Sequence, residues 1–212
     1  MKDMEFKKRF KEFWNWLWKS DSFWSYIVLI LLIIILIKFI IFPLLSLIFH
    51  TSLPLAIVES SSMDHGIVED DFGRLALCGN YYTNKEKIDF DEYWSICGQW
   101  YEDNTNISKE DMAGFTFKNG FKKGDLMIIS NWGEIETGDV IIFQAGRKHP
   151  LIHRVVSLSP LQTKGDHNAA QLPEEQSIQE NQVIGKAVVR IPYIGWPKVA
   201  VCEAIDIPMV CS

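Results

Sequence analysis

The sequence predicts a mostly β fold: one antiparallel β domain behind an N-terminal membrane-spanning helix, interrupted by a mixed helix-and-coil insertion. Three observations predict it. A long apolar run lies near the N-terminus, short aliphatic runs opened by Gly-Asp pairs fill the second half, and an aromatic, acidic stretch separates the two. The chain has 212 residues. Setting aside the first fifty or so leaves about 160, enough for a single well-buried core.

Residues 1–22 carry Lys2, Lys7, Lys8, Arg9, Lys11 and Lys19, with Phe6, Phe10, Phe13, Trp14 and Leu17 at helical spacing. Trp16 and Trp18 add aromatic surface. This pattern predicts an amphipathic basic helix lying in a membrane interface; a partner-protein helix is the competing reading. Residues 23–49 form the apolar run, broken by a single charge, Lys38, and by Pro43. A bilayer core needs about 20 apolar residues in helical form, so the run is long enough to span with a tilt or a bend at Pro43. Lys38 lies near the far end, within snorkelling reach of the interface. The run exceeds a usual signal-peptide core and no small-x-small cleavage site follows it, so a retained anchor is expected. Positive residues precede the span and none follows it through Ser62. That asymmetry places the N-terminus in the cytoplasm and residues 50–212 outside.

After the anchor, Leu55 to Val58 reads as a strand ending in the polar turn Glu59-Ser60-Ser61-Ser62. Residues from about 66 to 120 are rich in aromatics (Phe72, Tyr81, Tyr82, Phe90, Tyr93, Trp94, Trp100, Tyr101) and form an insertion with its own small core. Ser108 to Asp111 within it resembles a capping box. Gly124-Asp125 and Gly138-Asp139 then open Leu126 to Ser130 and Val140 to Phe143, a pattern expected of hairpins. Leu151 to Leu158, Val183 to Ile191 and the segment around Ile194-Gly195-Trp196 supply further strands. The tail from Val199 to Ser212, interrupted by Glu203, Asp206 and Pro208, is too short for a second span.

The formal net charge is −6 and no face rich in Lys and Arg stands out beyond the anchor, so nucleic acid is not an expected partner. Cys78, Cys97, Cys202 and Cys211 contain no C-x-x-C pair, which argues against zinc. Cys78 and Cys97 both fall in the insertion and suit a disulfide in an oxidising compartment, although four cysteines allow three pairings. Asn106-Ile107-Ser108 fits a glycosylation acceptor.

Two residues stand out for chemistry. A serine hydroxyl is a nucleophile only beside a base, and Ser62 follows a strand on the outer side of the anchor. His153, inside the apolar run Leu151-Ile152-His153-Arg154-Val155-Val156, is the best-placed base, because an imidazole exchanges protons near neutrality. His149 and His167 are rivals in polar turns, and His50 and His65 lie nearer the membrane and the serine. An orienting carboxylate completes such a set; Asp166, in Thr163-Lys164-Gly165-Asp166-His167-Asn168, is the candidate, though an Asp there equally serves turn N–H groups.

In order, Glu59-Ser60-Ser61-Ser62-Met63, Gly124-Asp125, Gly138 to Phe143, Ile152-His153-Arg154-Val155, Thr163 to Asn168 and Ile184-Gly185-Lys186 resemble the motifs of type I signal peptidases. The likeness runs from Leu55 to Trp196 outside the insertion. Bacterial members of that family carry Lys where His153 stands, so the resemblance is to the archaeal and endoplasmic-reticulum branch. It implies a signal-peptidase-like β domain with Ser62 as nucleophile, His153 as general base and Asp166 as carboxylate. Ser60 and the Ser62 N–H would form the oxyanion hole, and Met63 would contact substrate or lipid. It also implies preprotein signal peptides, the lipid bilayer and the secretion translocon as partners, with no metal or organic cofactor. One departure stands out: the family's later Asp is missing from Ala169-Ala170-Gln171-Leu172-Pro173-Glu174-Glu175. Asp166 is therefore expected to act alone, with Glu174 as the substitute. The missing Asp and the insertion leave two alternatives: an inactive membrane-anchored β module that binds partners, or a serine peptidase for another substrate whose access the insertion restricts.

Overall fold

A computed structural model describes residues 2–70 and 73–205. Phe72, Asp206, Pro208 and Cys211, which enter the sequence reading, lie outside the described residues. Backbone contacts divide the chain into two units, one ending at Ile48 and one beginning at Phe49.

The first unit is helical. In α1 (Lys2–Lys19) the rings of Phe6, Phe10, Trp14 and Trp18 follow one another at four-residue intervals, 6.0–6.4 Å between centroids. Phe13 and Trp16 form a further ring pair at 6.0 Å. α2 (Phe23–Leu36), a π-helical turn (Ile37–Ile41) and α3 (Phe42–Phe49) form one continuous 27-residue helix, long and apolar enough to cross a membrane. The π turn lies directly before Pro43. Proline lacks an N–H and crowds the carbonyl four residues earlier, Phe39, so widening this turn accommodates it without a break.

The second unit is built on a six-stranded antiparallel sheet in the order β1-β5-β9-β6-β7-β8. Its strands are β1 (Leu55–Ile57), β5 (Leu126–Ser130), β6 (Val140–Phe143), β7 (Leu151–Leu158), β8 (Leu161–Lys164) and β9 (Val183–Ile191). The central strand β6 is buried on both faces. Val140 and Ile142 pack with Val58, Met63, Met127 and Ile129, while Ile141 and Phe143 pack with Val155 and Ile178. Such two-sided burial is why its sequence is continuously apolar rather than alternating.

The two Gly-Asp pairs make equivalent turns. Gly124 and Gly138 have φ of 86° and 94°, and Asp125 and Asp139 each accept the N–H of the residue three before, Lys122 and Glu136. They do not make hairpins, however. β5 and β6 are separated by β9, which pairs with both, and the tight connections in the sheet are β6–β7 and β7–β8. The segment around Ile194 is also not a strand: it is a turn leading into α6 (Trp196–Ile205).

Between β1 and β5 lies the insertion. It holds a three-stranded sheet of β2 (Val68–Glu69), β3 (Leu75–Leu77) and β4 (Asn80–Tyr82), followed by α4 (Phe90–Asn104) and α5 (Lys109–Gly114). Both helices begin with a capping box, Asp89 with Glu92 and Ser108 with Asp111. A disulfide joins Cys78, in the β3–β4 turn, to Cys97 on α4. Ile67, Leu77, Tyr93 and Cys97 form a local core, and Trp94, Tyr101, Ile107 and Met112 pack on Val156 of β7.

Candidate active site

Ser62 follows β1 in a turn held by an Asp64 N–H to Ser61 C=O bond, and its side chain is half-buried. Its Oγ lies 2.9 Å from Nε2 of His153 and 3.1 Å from the Ser60 hydroxyl. His153 sits in the middle of β7, opposite Ile141 of β6, and is buried. On the far side of the imidazole, Nδ1 lies 2.6 Å from Oε1 of Glu175. That carboxylate also accepts the Thr163 hydroxyl at 3.1 Å and the Leu172 N–H at 2.7 Å. Glu175, fully buried, is thus an acceptor in all its bonds. Nδ1 must then carry the proton, leaving the Nε2 lone pair to accept from Ser62. A hydroxyl, an imidazole and a carboxylate in series can deprotonate the hydroxyl and stabilise the resulting imidazolium.

Ser62 and His153 are therefore brought together as the sequence suggested, but neither carboxylate candidate reaches the imidazole. Asp166 is bound instead by Arg154, whose Nε and Nη2 donate to it at 2.7–3.1 Å, by His65 Nε2 at 2.9 Å and by the Tyr101 hydroxyl at 2.9 Å. Neighbouring residues of a strand point to opposite faces. His153 faces Glu175 and Thr163, so Arg154 faces the other way and holds Asp166 there. Burial alone would raise the Asp166 pKa, but the Arg154 charge and the His65 and Arg154 bonds hold it well below the carboxylate range. Glu174 pairs with Arg147 at 2.9 Å on the surface. Glu175, one residue beyond Glu174, lies in a short 3-10 turn (Pro173–Glu175) that no strand or helix pattern marks in the sequence. Its legible signal is Pro173 followed two residues later by a carboxylate, which bonds back to the N–H of Leu172.

Met63 is not at the surface. It is fully buried in the core, its Sδ 3.4 Å from the Asp166 N–H, so it has no face for substrate or lipid. Three of the rival histidines are engaged elsewhere, His167 Nδ1 on the Asp64 carbonyl, His65 on Asp166 and His50 on the Trp132 indole, while His149 lines the cleft with its Nδ1 3.8 Å from Glu59 Oε2. Among the described residues no cluster of His, Cys, Asp or Glu could hold a metal ion.

A cleft of about 580 Å³ opens at Ser62 and His153. Its floor is apolar, with Leu55, Ile57, Ile142 and Ile152, and its rim carries Lys148, His149 and Lys198. β1 is the sheet's edge strand on this side. No residue of the insertion lines the cleft among the described residues.

On the opposite face of β7 and β8, Lys164 stands across from Arg154. It is fully buried, with Nζ 3.1 Å from the Gly165 carbonyl and 5.0 and 4.9 Å from the Trp100 and Tyr101 ring centres. Burial lowers its pKa to about 8, against the opposing pull of Asp166 and Glu175. Between pH 8 and its unfolded value of 10.5 the unfolded chain binds more protons, so this residue makes stability rise with pH through that window. Lys164→Met is accordingly expected to raise the unfolding temperature of the solubilised protein at pH 7, with the gain shrinking towards pH 10.

No family model matches the chain. Over 98 residues it is 30% identical to the signal peptidase complex catalytic subunit SEC11 of Verticillium alfalfae and 34% identical to that of Pyrenophora tritici-repentis. Each match covers 39% of this chain and 57% of the relative. To the Plasmodium falciparum subunit it is 32% identical over 89 residues, 36% of this chain and 48% of that one. Its relatives are type I signal peptidases. They are of the endoplasmic-reticulum branch, and the antiparallel sheet and the N-terminal apolar helix agree with a signal-peptidase-like domain on a membrane-associated protein. The chain spans about half the length of the curated relatives it matches.

Proposed function

We propose that the chain is a membrane-anchored serine endopeptidase that removes signal peptides from preproteins, with Ser62 as nucleophile, His153 as general base and Glu175 as the orienting carboxylate. The observation that carries this reading is the unbroken series Ser62 Oγ, His153, Glu175 at 2.9 and 2.6 Å, opening on a cleft. Ser62 attacks the scissile carbonyl as its proton passes to Nε2. The imidazolium, held by Glu175, then returns that proton to the leaving amine, and water releases the acyl chain by the same route. The Ser60 hydroxyl and the Ser62 N–H are the donors for the oxyanion, such a donor being worth about 3 kcal/mol. The substrate lies extended along the edge strand β1.

The basic residues before the apolar helix favour a cytoplasmic N-terminus and a peptidase unit on the outer or luminal face. The aromatic face of α1 then lies in the cytoplasmic interface. A substrate tethered in the same bilayer meets the site at high effective concentration. The relatives are subunits of a signal peptidase complex, and we place this chain in a like assembly, next to the translocon that delivers preproteins. With Glu175 2.6 Å from His153 Nδ1, the missing later Asp no longer favours an inactive module. A cleft lined by none of the insertion's described residues gives no support to an insertion that restricts access.

Detergent-solubilised full-length protein incubated with a preprotein tests the proposal. Cleavage after a small residue is expected, with Ser62→Ala and His153→Ala each lowering kcat by roughly 10⁴-fold or more. Cleavage that survives in either variant would contradict the assignment.

A further inference from the structure

None of the insertion's described residues lines the cleft, yet the insertion grips the loop of residues 164–168 from behind, and that loop touches both reacting groups. A Cβ on Gly165 would lie 2.9 Å from His153 Nε2 and 2.9 Å from the Ser62 carbonyl, and the His167 N–H donates to that same carbonyl at 2.9 Å. The insertion holds this loop at several points. On α4, the Tyr93 hydroxyl donates to the Asp166 carbonyl and the Tyr101 hydroxyl to the Asp166 carboxylate, both at 2.9 Å. Both phenols are fully buried, and burial pushes their pKa values well up, so they stay donors. From the β3–β4 turn, the Cys78 N–H donates to the His167 carbonyl at 3.0 Å. Beside it, a Cβ on Gly79 would come within 2.9 Å of the Ala169 side chain. A run of main-chain bonds therefore leads from Cys78 through His167 to Ser62. The Cys78–Cys97 disulfide ties this turn to the helix that bears the tyrosines.

On the basis of the proposed peptidase reaction, we infer that residues 66–120 are a built-in clamp that positions the loop 164–168 against Ser62 and His153, with Tyr101 and Tyr93 as positioning residues and the disulfide joining its two jaws. The clamp sets the rate of the chemical step and not the choice of substrate, because it reaches the nucleophile's backbone while none of its described residues reaches the cleft. A small misplacement of reacting groups costs far more in rate than in binding.

Tyr101→Phe, which keeps the ring and its packing, and the double variant Cys78→Ser/Cys97→Ser test this in the solubilised full chain. Two rates are read well below each unfolding temperature: kcat and KM on a preprotein, and labelling of Ser62 by an alkyl fluorophosphonate, which needs no signal peptide. Both variants are expected to lower kcat and the labelling rate about tenfold with KM unchanged, an effect of the size that misplacement produces. A lower unfolding temperature with an unchanged labelling rate would reduce the insertion to a structural brace and overturn the inference. A change confined to KM would overturn it too, by making the insertion a reader of substrate. Should the double variant fail to fold, Tyr101→Phe decides alone. Wild-type protein that labels at Ser62 but cuts no preprotein would sink the signal-peptide reading and leave the clamp to be judged on labelling.

Discussion

Glu175→Gln is expected to lower kcat by roughly 10⁴-fold at neutral pH, the size of effect known when the carboxylate of a Ser-His-acid series becomes an amide. The side chain keeps its shape, so the expected defect is in proton placement and not in packing. An ionised Glu175 obliges His153 to carry its proton on Nδ1, 2.6 Å away. An amide permits the other tautomer, in which Nε2 carries the proton and has no lone pair for Ser62. It also withdraws the negative charge that stabilises the imidazolium. Single-turnover cleavage of a preprotein checks this, with thermal unfolding as the control for folding. Glu174→Gln should change kcat little, because Glu174 pairs with Arg147 at the surface and it is Glu175 that meets His153.

Asp166→Ala is expected to destabilise the protein by about 3–5 kcal/mol, the usual cost of leaving a buried charge without its partner. Arg154 is fully buried, and its remaining hydrogen bonds go to the carbonyls of Thr116, Phe117 and Gly138, which carry no full charge. The folded-state pKa of Asp166 is depressed, so its contribution is complete above the unfolded carboxylate value and is lost as pH falls below it towards the folded one. Denaturant unfolding at neutral pH reads the loss. Activity per folded molecule should fall only within the tenfold range expected of the clamp variants, since Asp166 acts on Ser62 through the loop and not through the imidazole. Asp166 variants would thus look inactive in a cell for reasons of folding.

The pairing of Ser62 with His153 was legible because each carries a local signature: a polar turn after an apolar strand, and a lone imidazole within one. The carboxylate was not, because its position depends on how the chain folds back over β8. Asp166 is twelve residues from Arg154 and Glu175 twenty-two from His153, and only the alternation of β7 decides which acid meets which base. Arg154 stood beside His153 in the sequence throughout; a buried Arg needs an acid, and Asp166 was the nearest. Five of the six strands of the main sheet are readable from their apolar runs and β8 is not, and the order that puts β9 between β5 and β6 rests on long-range pairing that no local pattern carries. The small sheet of the insertion is not legible in the sequence because its strands are two or three residues long. Their one local marker was Cys78-Gly79, both at positive φ, the geometry of a two-residue hairpin turn. Met63 was misplaced by its neighbours: Ser62 is partly open to solvent, yet the next side chain turns inward to fill the core beside Phe121 and Met127.

The rate at which Ser62 reacts with an alkyl fluorophosphonate, measured per folded molecule in wild type, Glu175→Gln and Asp166→Asn, tests the Ser62–His153–Glu175 series most directly. The account predicts a fall of at least about a hundredfold in Glu175→Gln, consistent with loss of the orienting carboxylate, while Asp166→Asn stays within about tenfold of wild type. Wild-type reactivity in Glu175→Gln, or an equal collapse in a fully folded Asp166→Asn, would contradict it.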